Sequence, residues 1–335
     1  FSVLKINFAF QKNKVVKKMI TTVTLNPAID REYFVDKNEV MKNQFIYDHE
    51  DLKIYPGGKG LISAINFKNL GYGDVQNIGF VGGKQGLFFE KMVQKHDIIS
   101  NYIYTESEIR NNVKIIGRDP ATYTQYNDYT YKVEKEEVDE LIIRFKRSIS
   151  ESSCILMSGS VPEGVDFDIY QRLIKIAKKK GKHVFLQASG EALKLALESK
   201  PDVVTPYFKH HKSILDMEMN NKEDYIRAGK KMQEMGAKRV MIPFHCDRLL
   251  FDKDGEIYQL SPKGYCIINW LGASDAYNTA YLDYAFKTDK FDFLEANLRG
   301  GAAALWIAEN KEIYLENRKN YNCCLERLEI NKLEV

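Results

Sequence analysis

Short apolar, β-rich runs alternate along this chain with amphipathic stretches of helix length, and that rhythm constrains the fold more than any other feature. Ile20–Leu25 reads as a strand, Leu61–Leu70 as a helix stopped by Gly71, Asn77–Val81 as a strand and Gln85–His96 as a helix. The strand-like runs Cys154–Ser158, His183–Ala188, Asp202–Thr205 and Arg239–Pro243 follow. Stretches such as Phe167–Lys180 and Lys222–Met235 separate them. Strand–helix–strand at this spacing predicts crossover units, hence an α/β fold with a parallel sheet and helices on both faces. Ligands of such sheets bind outside the carboxyl ends of the strands.

Two stretches break the rhythm. Arg31–Tyr55 and Val113–Val133 are rich in Tyr, Phe, Ile and Val without helical periodicity, and they predict a small additional sheet. The chain has 20 Tyr and 18 Phe, and part of that excess is local. Tyr33, Phe34, Phe45, Tyr47 and Tyr55 crowd the first stretch; Tyr123, Tyr126, Tyr129 and Tyr131 crowd the second. Aromatic cross-strand pairs stabilise a sheet too small to bury both faces.

Several classes are excluded. With 49 Lys+Arg against 46 Asp+Glu, the net charge of +3 is too even to make nucleic acid a principal ligand. No uninterrupted apolar run approaches the roughly 18 residues of a membrane span. Five cysteines at irregular spacing make neither a disulfide framework nor a zinc site, and reduced thiols fit a cytoplasmic protein. Residues 1–18 run apolar then basic, the reverse of a secretory signal, and read as an N-terminal extension. Residues 19–335 read as one domain, with the two β-rich segments at about 31–55 and 113–133 inserted in it.

Candidate site residues fall at the predicted strand ends. Pro56-Gly57-Gly58-Lys59-Gly60 precedes a helix, where glycines permit close approach and helix N–H groups face an anion. It is neither a Walker A loop nor a dinucleotide fingerprint. Leu271-Gly272-Ala273-Ser274-Asp275 opens the helical stretch Ala276–Phe286. Asp275 is there either a capping residue or a carboxylate base beside a row of amides. Asp30 follows the first strand, as a solvated turn residue or a partner for ligand hydroxyls. Arg110 and Lys114 flank Asn111-Asn112, and Ser158 closes the Cys154 strand.

Together these blocks resemble the phosphofructokinase-B family of ribokinase-like carbohydrate kinases, in the branch of 1-phosphofructokinase and tagatose-6-phosphate kinase. The resemblance rests on Thr22–Arg31, Pro56–Gly60, Gly79–Gly83, Ser158–Val165, Ala188–Leu193 and Gly272–Asp275, and spans about Met19 to Glu309. It implies a three-layer α/β/α sandwich with a β-sheet lid, a homodimer formed through that lid, and ATP and Mg²⁺ as phosphoryl donor and metal. The implied reaction is phosphorylation of a ketose phosphate: fructose 1-phosphate, tagatose 6-phosphate or fructose 6-phosphate. Asp30, Gly57, Gly58, Lys59, Arg110 and Ser158 would bind the substrate. Asp275 would be the general base, with the amides of Gly272, Ala273 and Ser274 as anion hole. Thr205, Tyr207, His210, Pro243 and His245 would line the nucleotide side.

That side departs most from the family pattern. Thr205-Pro206-Tyr207-Phe208-Lys209-His210 aligns with Lys-Pro-Asn-x-x-Glu, and Tyr207 and His210 replace hard oxygen ligands, so no metal-binding residue is assigned. Pro243-Phe244-His245 aligns with Ser-Leu-Gly, which puts His245 where positive φ is expected; a following Gly is Arg248. Gln187 replaces an Asp, Ile62 an Asn, and Ser274 the second Gly of Gly-Ala-Gly-Asp. Two readings therefore stand: an active sugar-phosphate kinase with an unusual nucleotide site, and a pseudokinase that binds a sugar phosphate as a sensor or partner subunit.

Overall fold

A computed structural model describes residues 19–37, 39, 42–46, 48–118, 122–129, 131–207, 213–268 and 270–334. The N-terminal extension, Tyr47 and His210 lie outside the described residues. Ten strands form one sheet, in the spatial order β16 (Leu328–Lys332), β15 (Ile257–Pro262), β14 (Asp247–Phe251), β13 (Arg239–Phe244), β10 (Val203–Val204), β9 (His183–Gln187), β8 (Ser152–Ser158), β1 (Met19–Thr24), β4 (Val75–Gly82) and β5 (Ile99–Thr105). From β5 to β13 every neighbouring pair is parallel. β14, β15 and β16 extend the sheet antiparallel. The turns at His245-Cys246 and Asp254-Gly255 are too short for a crossover, so the chain can only fold back.

Period-2 alternation sends strand side chains to opposite faces. Ile20, Cys154, Leu156 and Phe185 pack with helices α1 (Lys59–Asn69), α2 (Gly83–Gln94), α7 (Ala273–Lys287), α8 (Phe293–Ala308) and α9 (Arg318–Asn322). Val23, Ile155, Met157, Val184 and Leu186 pack on the other face with α3 (Lys135–Ser148), α4 (Ile169–Lys179), α5 (Gly190–Leu197) and α6 (Lys222–Glu234). Two cores on one sheet make the three layers implied by the sequence.

The chain moves from β1 outward to β4 and β5, then returns to β8 on the other side of β1. The crevice at that switch point is where an open α/β sheet holds its ligand. Beside it stands a four-stranded sheet in the order β3 (Leu52–Gly57), β2 (Ala28–Val35), β6 (Arg110–Gly117) and β7 (Thr122–Tyr126). Its strands come from the two stretches that broke the helical rhythm. β2 and β6 are parallel; β3 and β7 close the edges antiparallel. A two-residue pair, β11 (Ser213–Ile214) with β12 (Met217–Glu218), stands apart.

His245 sits in the turn between β13 and β14 with φ +52°, the left-handed conformation expected there. A side chain in that region costs roughly 1–2 kcal/mol. His245→Gly is therefore expected to raise the urea midpoint by the equivalent of about 0.5–1 kcal/mol. An unchanged or lower midpoint would show that the turn carries no such strain.

Candidate active site

The carboxyl ends of β1 and β8, the starts of α1 and α7, and the inner face of the small sheet surround a cleft of about 1220 Å³. Its lining includes Asp30, Gly58, Lys59, Ile62, Arg110, Lys114, Ser158, Tyr207, Gly272 and Asp275. Residues scattered over 246 positions thus converge as the sequence implied. Gly58 links β3 to α1 with φ +121°, and a Cβ there would lie 2.6 Å from Thr24 Cγ2. Glycine at this position is what lets Lys59 open the helix against the end of β1. Gly57 is not part of this lining; a Cβ there would strike Asp30 Oδ2 at 2.1 Å, so its bareness makes room for the carboxylate.

Asp30 is held from the neighbouring strand. The parallel register sets Asp30 opposite Asn112 and Glu32 opposite Lys114. Asn112 Nδ2 donates to Asp30 Oδ1 at 2.7 Å. Lys114 Nζ donates to the Tyr55 hydroxyl at 3.0 Å and to Glu32 Oε1 at 3.5 Å, and stands 3.9 Å from Asp30 Oδ2. Tyr55 in turn donates to Glu32 Oε1 at 2.5 Å. All five residues are buried. Sequence reasoning did not assign roles to Glu32, Tyr55, Asn112 or Lys114.

Arg110 begins β6 and reaches across to the Asn26 carbonyl through Nη2 at 3.0 Å. Its Nε is buried without a partner among the described residues. Burial pushes the guanidinium below its ordinary value, opposed first by Asp30, but it stays charged. Lys59 Nζ lies 5.5 Å from the centre of the Tyr207 ring. Tyr207 therefore faces this cleft beside Lys59, whereas Pro243 and His245, which the resemblance grouped with it, line a different pocket. Burial raises its phenol.

Asp275 is 2 % exposed in the first turn of α7, and its Oδ1 has no hydrogen-bond partner among the described residues. Burial raises its pKa to about 6, against the lowering effect of Lys59 and Lys114. A carboxylate with that value suits proton acceptance near neutrality. Gly272 precedes the helix with φ +78°, in a place where a Cβ would meet the Ile313 carbonyl oxygen at 2.3 Å. The Ala273 N–H points to the Trp270 carbonyl at 3.3 Å, so one of the three assigned amides already has an acceptor.

Ser274 faces away from the cleft. Gln187 Nε2 donates to its hydroxyl at 2.9 Å, and Gln187 Oε1 accepts from Ser158 at 2.6 Å and from Asn278 at 3.0 Å. Gln187 thereby ties the ends of β8 and β9 to α7, where the resemblance had an acidic residue. Beyond Ser274 lies a second pocket of about 220 Å³, lined by Pro243, His245, Arg248, Ala273, Ser274 and Tyr277 among others. Thr205 is buried at the end of β10 and lines neither cavity. The start of α7 is thus a wall between a large polar cleft and a smaller pocket.

Residues 22–244 match the family model described as pfkB family carbohydrate kinase. The chain belongs to the pfkB family of carbohydrate kinases. Its fold and its likeness to kinases agree with the sequence reading, and nothing in the similarities supports an inactive relative. The 1-phosphofructokinase of Bacillus subtilis is 29 % identical over 267 residues, 79 % of this chain and 84 % of that protein. A Thermotoga maritima structure described as a possible 1-phosphofructokinase superposes with a TM-score of 0.88 at 28 % identity, covering 94 % of this chain and all of that one. Escherichia coli phosphofructokinase-2 in complex with fructose-6-phosphate shares the fold, with a TM-score of 0.78 at 21 % identity over 92 % of this chain and 98 % of that one. The pfkB match ends at Phe244, before α7. No helix of the described residues is long and apolar enough to cross a membrane.

Proposed function

We propose that this pfkB-family protein transfers a phosphoryl group from ATP to a hydroxyl of a ketose phosphate. Fructose 1-phosphate ranks first among acceptors, because the matched B. subtilis relative is a 1-phosphofructokinase. The observation that carries the reading is the wall at α7, with Asp275 on the side of the polar cleft and Ser274 on the side of the smaller pocket. Phosphoryl transfer needs an acceptor and a donor on two sides of one point, with a base and positive charge between them.

Asp30, seated by Asn112, accepts hydrogen bonds from sugar hydroxyls. Arg110 and Lys59 meet the phosphate already on the sugar. Asp275 accepts the proton of the attacking hydroxyl, and the first-turn amides of α7 hold charge on the transferred group. The residues present do not fit a magnesium ion held by the protein at the aligned position, since the Tyr207 ring there covers the Lys59 ammonium. Positive charge at the transfer point comes from Lys59 and the helix start.

A coupled ADP-release assay with the three ketose phosphates tests this. Turnover with at least one is expected, and none with any of them would sink the reading. We also propose that the small sheet acts as a lid and pairs two chains through its open edge. Tyr126 on the edge strand β7 is 62 % exposed and Ile54 on β3 is 42 % exposed. Sedimentation at micromolar concentration is expected to give twice the chain mass; a monomer there removes the lid-dimer proposal.

A further inference from the structure

The smaller pocket contains a charged group with no part in the reaction so far. Arg248 is the second residue of β14, just after the hairpin turn, and lines the pocket together with Ala273 and Ser274. It is 9 % exposed. Its guanidinium carbon lies 3.6 Å from the centre of the Tyr277 ring, a cation stacked on an aromatic face. Tyr277 is fixed in turn, because its hydroxyl donates to Asn297 Oδ1 and Asn297 Nδ2 donates to the Phe293 carbonyl at 2.7 Å.

Among the described residues, no hydrogen-bond acceptor meets Nη1 of this cation. Arg248 Nη1 is buried without a hydrogen-bond partner, and no ion pair among the described residues includes Arg248. Asp247 lines the same pocket, but its Oδ2 accepts from Gln259. Burial pushes the guanidinium below its ordinary value, yet arginine keeps its proton in proteins. An uncompensated buried charge is costly, and native structures rarely leave one without use. Beside it the first turn of α7 adds the positive end of a 15-residue helix. A planar guanidinium next to helix amides suits a phosphate oxygen pair.

We propose that Arg248 binds a phosphate of the phosphoryl donor, so that the smaller pocket takes a phosphoanhydride. The proposal rests on the kinase reading and deepens it. It assigns to a side chain of the protein a charge that the residues around Tyr207 do not supply through a metal.

The test uses the full chain and its Arg248→Met and Arg248→Gly variants. Unfolding midpoints are measured alone and with ATP, sodium pyrophosphate or adenosine, together with the KM for ATP. The native midpoint is expected to rise with ATP and with pyrophosphate, and not with adenosine. Arg248→Met is expected to melt higher than the native chain without ligand, because it buries no charge. It should lose the pyrophosphate shift and raise the KM for ATP at least tenfold, leaving the KM for the sugar phosphate unchanged. An ATP shift that needs Arg248, without a pyrophosphate shift, supports the proposal with the nucleoside required. Equal ATP and pyrophosphate responses in native and Met proteins would overturn it. So would a stronger ATP response in Arg248→Gly, which would make Arg248 an obstruction. Anion shifts that depend on Arg248, with no turnover on any ketose phosphate, would support the anion site and remove the kinase reading alone.

Discussion

Asp275→Asn is expected to slow turnover by about 10²–10⁴-fold, the usual worth of a positioned general base, while raising the melting temperature near neutral pH. Both effects come from the same burial. The carboxyl has its pKa raised from 3.8 to about 6. Between about pH 4 and 6 the folded chain therefore holds a proton that the unfolded chain has released. Stability is full below that window and falls as pH rises through it; above pH 6 the charged form costs about 3 kcal/mol. Asparagine avoids that cost and cannot accept the proton. The native kcat/KM should rise with pH through a limb near 6, as the base loses its proton. Unimpaired turnover in the Asn variant would remove Asp275 as the base. A loss of stability would make the carboxylate a structural cap instead.

Lys114→Met is expected to destabilise the protein by roughly 3–5 kcal/mol, since removing one partner of a buried ion pair strands the other. Here two carboxylates would be stranded, those of Glu32, which is fully buried, and Asp30. The double variant Lys114→Met/Glu32→Gln should recover a large part of the loss, because the two sites share one network. Urea denaturation of native, single and double variants measures this. A loss below about 1 kcal/mol would mean that water reaches the network, as at a surface pair. Where the single variant folds, its kcat/KM limb should move to higher pH, because Lys114 lowers the pKa of Asp275.

The alternation of strands and helices was legible because each crossover unit announces itself locally, in period and length. The antiparallel β14 was not, because the turn before it carries His245 where a glycine would have marked it; before β15 the Asp254-Gly255 turn was a signal that went unused. Within the site, Asp30, Gly58, Lys59, Arg110 and Asp275 stood out as turn or strand-end residues of telling type. Asn112 and Lys114 were noticed only as neighbours of Arg110, and Glu32 and Tyr55 had no site role, because their meaning depends on β2 and β6 lying side by side with Asp30 and Asn112 82 positions apart in the chain. A partial signal existed: Asp30 with Glu32, and Asn112 with Lys114, are spaced two apart and so share a face of a strand. The Tyr207 substitution was visible in the sequence, but its contact with Lys59 was not. Local pattern does not say which neighbour a replaced side chain will find.

The parallel pairing of β2 with β6 also orders events during synthesis. β2 and β3 can close as a hairpin once Gly57 has emerged, but β6 is complete only at Gly117. At about 5–20 residues per second, Asp30 and Glu32 wait some seconds on the ribosome without their lysine. Through that interval the half of the cleft built by the small sheet is a charged, open edge. It becomes a binding surface only when β4, α2 and β5 have carried the chain back to it.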